Sequence, residues 1–90
     1  MFVEESVWYE ARNEDGSCRI NLDDSYLKIY LTVDKVKEAL DRHVEKYHGE
    51  SNTYIICKHT YQKTLDEAGR FVEARTVVEA VEAYCKEGVA

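Results

Sequence analysis

Residues 26–47 read YLKIYLTVDKVKEALDRHVEKY, and the spacing of the apolar side chains changes within this stretch. Before Thr32 the apolar residues alternate with polar or aromatic ones, which is the period of a β-strand. After Thr32 they recur about every 3.6 residues, which predicts an amphipathic helix. The Thr32 hydroxyl can cap this helix, and Gly49 can end it. The alternating residues are Leu27, Ile29 and Leu31.

Two further strands are predicted before this stretch. Residues 2–11 alternate so that Trp8 and Glu10 lie on the face opposite Val3, Val7 and Tyr9. The Asp-Gly sequence at 15–16 is typical of a hairpin turn, because both residues tolerate positive φ. Residues 18–22 then alternate again, and residues 23–25 make a second turn. The N-terminal part therefore predicts a three-stranded meander.

The C-terminal part repeats the order of strand and helix. Residues 53–61 are rich in β-branched and aromatic residues, which indicates a strand, and residues 71–75 predict another. Thr76-Val77-Val78-Glu79 has the pattern of a capping box, so we expect a second helix that runs to Gly88. Thr32 and Thr76 thus begin similar segments, which indicates two strand-strand-helix units with one extra N-terminal strand.

The predicted fold is a single α+β domain spanning residues 1–90. It has the order β-β-β-α-β-β-α, with an antiparallel sheet of about five strands and two helices packed on one face. A chain of 90 residues has too little interior for two cores. The residues expected to form the core together are Leu27, Ile29, Leu31, Val36, Leu40, Val81 and Tyr84.

The charge balance favours protein partners over nucleic acid or membrane. The chain has 18 acidic and 12 basic residues, for a net charge of −6. An acidic surface repels phosphates and anionic lipid and attracts basic surfaces, although the charge can also serve solubility alone. The three cysteines lack the spacing of a disulfide framework, and the N-terminus does not resemble a signal peptide. We therefore expect a cytoplasmic protein.

One face of the predicted sheet is left uncovered by the helices. Because Leu27, Ile29 and Leu31 are expected to face the helices, alternation places Tyr26, Lys28 and Tyr30 on the opposite face, with Trp8 beside them. Either Tyr54 or Tyr61 joins them, depending on the register. Aromatic rings around a lysine are typical of a recognition surface, and an ordinary solvated sheet is the competing interpretation. Stacking on RNA bases would require basic surroundings that this chain lacks.

Cys57 and His59 are the residues to consider for a metal site or a nucleophilic pair. Cys57 and His59 lie on one face of a predicted strand, but a zinc site needs about four such ligands at short spacing. The same pair lacks a glycine-rich oxyanion turn and a group to orient the imidazole, which a cysteine nucleophile needs. We therefore expect no catalytic residues, no metal and no cofactor.

The sequence accordingly favours a small acidic, non-enzymatic protein-binding module. It would act as a regulator or inhibitor by covering a surface of its target, and its acids could imitate nucleic-acid phosphates, as in small phage-encoded inhibitors. The alternative is a structural homo-oligomer, such as a dimer or a subunit of a larger assembly, that self-associates through the open aromatic face. The expected partner-binding residues are Trp8, Glu14, Asp15, Asp23, Asp24, Tyr26, Lys28 and Tyr30.

Overall fold

The computed structural model describes residues 1–24, 29–47 and 53–85. These residues form one antiparallel sheet in the order β1-β2-β3, one α-helix and a short 3-10 turn. The α+β class is therefore correct. The elements are β1 (Phe2–Asn13), the 3-10 turn (Leu22–Asp24), α1 (Val33–Lys46), β2 (Thr53–Leu65) and β3 (Phe71–Cys85).

Strand β2 lies in the centre of the sheet. It pairs with β1 from Phe2↔Leu65 to Asn13↔Tyr54, and with β3 along almost its whole length. The turn between β2 and β3 is held by Asp66, whose carboxylate accepts hydrogen bonds from the backbone N–H groups of Ala68 and Arg70, each at 2.9 Å. The apolar side chains on both faces of residues 53–57 fit this central position.

Helix α1 begins where the change of period predicts. The Thr32 hydroxyl accepts a hydrogen bond from the Lys35 N–H at 3.2 Å, which satisfies one of the free donors of the first turn. The backbone N–H of Tyr47 donates to the His43 carbonyl at the other end. The predicted end at Gly49 lies outside the described residues. One stripe of the helix is buried, formed by Val36, Ala39, Leu40 and Val44.

The core lies between α1 and one face of the sheet, which we call the inner face. Tyr54 and Ile56 of β2 are buried there, next to Ala11 of β1. The helix is tied to the C-terminal end of β3 by a hydrogen bond from the Tyr84 hydroxyl to Asp41 and by an ion pair between Lys37 and Glu82. The buried apolar cluster consists of Ala11, Leu22, Tyr30, Val36, Ala39, Leu40, Val44, Tyr54, Ile56 and Tyr84.

The predicted second helix is wrong, and so is the repeat of two strand-strand-helix units. Residues 76–85 continue β3, and Thr76 pairs with Tyr61 of β2. The apolar residues at 77, 78 and 81 fit a helical stripe by spacing, but a valine-rich segment prefers a strand when a pairing partner is present. The stripe is also exposed on β3, so it forms no buried helical face.

The predicted five-stranded sheet is wrong as well. Around residues 18–31 the described structure has only isolated bridges to β1, which pair Arg19 with Arg12 and Tyr30 with Tyr9. Tyr30 is buried, whereas Ile29 and Leu31 are 50% and 71% exposed, so the expected faces are reversed. Tyr30 turns inward because its backbone is fixed by hydrogen bonds with Tyr9. Leu27 lies outside the described residues.

The predicted core is therefore partly correct. Val36, Leu40 and Tyr84 are buried together, whereas Ile29, Leu31 and Val81 are exposed. Ile29 and Leu31 are exposed because Tyr30 between them turns inward, and Val81 is exposed at an irregularity of β3, between the paired residues Ala80 and Glu82. Helix α1 covers only one end of the long sheet, in a molecule that measures 58 × 21 × 19 Å. We call the uncovered end the distal sheet, and it consists of residues 2–6, 61–65 and 71–76. Among the described residues, no helix has the length and apolar character of a membrane span.

Candidate functional site: the outer face of the sheet

The sheet face opposite α1, which we call the outer face, collects the polar and aromatic residues of the central rows. Because Ala11 and Ile56 point to the helix, strand alternation turns Trp8 and His59 away from it. The register places Trp8 beside His59, and His59 beside Val78 of β3. Among the described residues, no helix covers the outer face.

Trp8 is held in a fixed position on the outer face. Its ring stacks on the imidazole of His59, with centroids 3.8 Å apart and an angle of 12° between the planes. The guanidinium of Arg19 lies 5.5 Å from the centroid of the Trp8 ring, within the range of a cation–π interaction. The indole is half-buried. A solvent-accessible aromatic ring is thus already ordered in the free protein.

Glu10 contacts His59 of this stack and is buried, with an exposed fraction of 3%. One carboxylate oxygen, Oε1, accepts a hydrogen bond from Arg12 Nε at 2.6 Å, and the other lies 3.2 Å from Arg19 Nε. His59 Nε2 lies 2.8 Å from Oε1, a close contact that is an ion pair when the imidazole is protonated.

The environment of Glu10 has opposing effects on its pKa. Burial raises the pKa, and His59 and Arg12 lower it through close contact and positive charge. The second influence is the stronger, so the pKa of Glu10 lies below its ordinary value. A buried carboxylate that stays ionised needs such cationic partners. Glu10 was not among the predicted site residues, although alternation had placed it on the same face as Trp8.

Cys57 lies on the same face in register with Glu10. Burial raises the pKa of the Cys57 thiol, and the nearby Arg12 opposes this effect only in part. A reactive cysteine is one whose pKa is lowered, so this environment favours an unreactive thiol. Among the described residues, no group of three or more His, Cys, Asp or Glu side chains is arranged to hold a metal ion.

Two of the predicted partner-binding residues, Tyr30 and Asp23, make contacts within the chain. Tyr30 is only 7% exposed, and its hydroxyl donates to Asp23 at 2.7 Å. The Asp23 carboxylate also accepts hydrogen bonds from Arg42 Nε and Nη2, both at 3.0 Å. The prediction that Tyr30 points outward is therefore wrong, and Asp23 links the 3-10 turn to α1.

The other predicted residues are dispersed. Trp8 lies on the outer face, whereas Glu14 and Asp15 are exposed in the turn after β1. Asp15 accepts a hydrogen bond from the Ser17 N–H at 2.9 Å. This turn adjoins the outer face, because Arg12 Nη1 donates to the Gly16 carbonyl at 3.4 Å. Tyr26, Lys28 and the side chain of Asp24 lie outside what the structure describes.

Further apolar residues continue the outer face into the distal sheet. Tyr61, which is 38% exposed, is the outward tyrosine of β2, and Tyr54 is the buried one. Val78 and Phe2 are 43% and 61% exposed on the same face. These positions follow from the register between the strands, which no local pattern of residues predicts.

Comparison with known proteins gives no relative: no family model, no curated protein and no solved structure matches the chain.

Proposed function

We propose that the protein is a non-enzymatic protein-binding module that docks the outer face of its sheet onto a partner and acts as a regulator or inhibitor by covering the partner's surface. The observation that carries this proposal is the stack of Trp8 on His59, at 3.8 Å between centroids. An aromatic anchor that is ordered before binding loses little conformational entropy when the complex forms.

The surroundings of Trp8 favour contact with another protein. The charge of Glu10 is compensated within the chain by Arg12 and Arg19. Covering this region therefore does not bury an isolated charge, which would oppose binding. Tyr61 and Val78 extend the apolar contact area along the same face. Binding interfaces commonly combine such a central aromatic group with an apolar surround.

The acidic turn at one end of the outer face supports a partner with basic residues at the rim. Glu14 and Asp15 are exposed there, and the whole chain has a net charge of −6. Charges at a rim steer association more than they hold the complex together. Substituting both acids by lysine should therefore slow association and flatten its dependence on salt, while dissociation changes little.

Affinity capture from the native host tests the proposal when wild type is compared with matched variants. Trp8→Ala removes the anchor, and Leu31→Ala removes an exposed apolar side chain beside the start of α1. A partner retained by wild type and by Leu31→Ala should bind Trp8→Ala about 10- to 30-fold more weakly. Equal capture by all three proteins would contradict the proposal.

Titration with the captured partner gives a second measurement. Trp8 is the only tryptophan in the chain, so its fluorescence reports directly on the outer face. We expect the emission of Trp8 to shift on binding, because the partly exposed indole becomes shielded from water. Thermal melts of each variant are the control, since a weakened complex is informative only when the variant remains folded. A partner that binds without changing the fluorescence would place its contact elsewhere.

A further inference from the structure

Strand β3 presents a long edge. It has 15 residues, of which only Tyr84 is buried. It pairs with β2 on one side, and among the described residues nothing pairs with its other side. Helix α1 is tied to β3 by Tyr84 and Glu82, near the C-terminal end, so the edge from residue 71 to 81 is accessible. An open edge of this length can accept another strand.

The charges along β3 are arranged so that the strand is complementary to itself. Two copies of one strand can pair in antiparallel fashion about a two-fold axis. The residue at the axis then faces the same residue of the other copy. A residue a given number of positions before the axis faces the residue the same number of positions after it. With Val77 at the axis, Arg75 of each copy faces Glu79 of the other. Arg75, Val77 and Glu79 all lie on the inner face of β3. They pair with Gln62, Thr60 and Lys58 of β2, in that order. Opposite charges directly across a strand pair stabilise the pairing.

Neighbouring registers lack this match. With the axis at Thr76, Glu73 faces Glu79, and like charges directly opposite each other are destabilising. With the axis at Val78, no charged residue of β3 faces another. The register centred on Val77 also places Ala74 opposite Ala80 and Thr76 opposite Val78, which are small or β-branched residues. The charge pattern therefore selects one register.

We propose that β3 is an interface that binds a second copy of this chain, in an antiparallel pairing centred on Val77. The strands of the two copies would form one continuous sheet. The other edge of the sheet suits this role less well, because Tyr9 and Arg12 of β1 are already bridged to Tyr30 and Arg19.

The geometry of the chain permits this pairing. Helix α1 packs at the end of the sheet that carries Tyr54 and Tyr84, so the antiparallel arrangement separates the two helices to opposite ends. Trp8 lies on β1, on the far side of β2 from the new interface. The dimer thus leaves the Trp8 stack accessible and does not depend on the function proposed above.

The test measures the mass in solution of the full chain and of two single variants, Arg75→Glu and Glu79→Arg. Wild type is expected to be a dimer at micromolar concentration in about 0.15 M salt, where long-range repulsion is screened. In either variant the two attractive contacts become repulsive, so the dissociation constant of the dimer should rise about 10- to 100-fold.

Mixing the two variants is the decisive measurement. In the proposed register, a chain with Arg75→Glu and a chain with Glu79→Arg regain two attractive contacts, so an equimolar mixture should form a heterodimer. A partner surface elsewhere would not produce this rescue. Thermal melts show whether each variant is folded, and Val3→Lys, on exposed β1, is the matched control that should dimerise like wild type. A monomeric wild type, or variants that dimerise normally, or a mixture that stays monomeric would overturn the proposal.

Discussion

Tyr30 shows how one side chain can decide the interpretation of a surface. Its ring belongs to the core, and its hydroxyl donates to Asp23, which also holds Arg42. Burial and the adjacent carboxylate raise the pKa of Tyr30, so the hydroxyl remains a donor at any ordinary pH. Asp23 itself adopts a φ of 53°, a left-handed conformation that aspartate tolerates better than most residues. These contacts join the 3-10 turn, β1 and α1.

Substitution of Tyr30 should therefore affect folding. Tyr30→Ala is expected to lower the free energy of unfolding by about 3 kcal/mol, because it leaves a cavity in the core. Tyr30→Phe keeps the ring and should cost about 1 kcal/mol, the loss of one hydrogen bond. Leu31→Ala, at the exposed neighbour, should change stability by less than about 0.5 kcal/mol. Urea denaturation of the three variants measures this, and a Tyr30→Ala protein as stable as Leu31→Ala would contradict the assignment.

Glu10 makes a pH-dependent contribution to stability. Its pKa is lower in the folded than in the unfolded chain, so its contribution is fully present above about 4.3, the ordinary value for glutamate, and is lost as the pH falls through the lower folded value. Glu10→Gln should therefore destabilise the protein at pH 7, by about 1–3 kcal/mol for the lost charged contacts. The difference should shrink in strongly acidic solution. Denaturation curves of wild type and Glu10→Gln at pH 7 and in strongly acidic solution provide the measurement. A stability difference between the two proteins that is independent of pH would contradict this explanation.

At the scale of elements, the sequence predicts some parts of the fold better than others. Helix α1 was predictable because a capping threonine and a regular apolar stripe agree, and the stripe is buried. Strands β1 and β2 were predictable from their alternating or β-branched residues. Residues 76–85 were not, because their apolar spacing fits both a helix and an exposed strand, and only the pairing with β2 decides between them.

The candidate site was predictable to a smaller extent. Alternation alone places Trp8 and Glu10 on one face of β1, and both lie there. His59 joins them through the register between β1 and β2, which depends on contacts far apart in the sequence. The predicted tyrosine face failed at Tyr30 because an isolated bridge to Tyr9 replaces the expected regular strand. Local patterns thus indicate which residues share a face, and tertiary pairing decides which faces meet.

The two threonines that were expected to cap helices provide a matched test. Thr32→Ala removes the acceptor for the Lys35 N–H and should cost about 1 kcal/mol of stability. Thr76→Ala lies on exposed β3, with no helix to cap, and should cost less than about 0.5 kcal/mol. Chemical denaturation followed by circular dichroism compares the two. Equal losses of stability and of helical signal would indicate a helix at residues 76–85.

At the scale of the whole molecule, stability should be uneven along the sheet. One end is covered by α1 and contains the buried cluster, whereas the distal sheet is covered on neither face by any described element. Its backbone hydrogen bonds are therefore close to water, and few apolar contacts oppose their opening. Regions of this kind open locally at a free energy below that of global unfolding.

Hydrogen exchange can detect this difference amide by amide. In the covered end, amides of β2 near Ile56, which is fully buried, should exchange only on global unfolding. Amides that are hydrogen-bonded in the distal sheet, between Tyr61 and Thr76, should be protected at least about tenfold less, because local opening suffices. The measurement is best made on Arg75→Glu, which keeps the chain monomeric if β3 is a dimer interface, and then repeated on concentrated wild type. Protection of β3 that rises with concentration only in wild type would agree with strand pairing between copies. Uniform protection along β2 in the monomer would instead show that the uncovered end is as stable as the core, and the unevenness inferred from burial would be wrong.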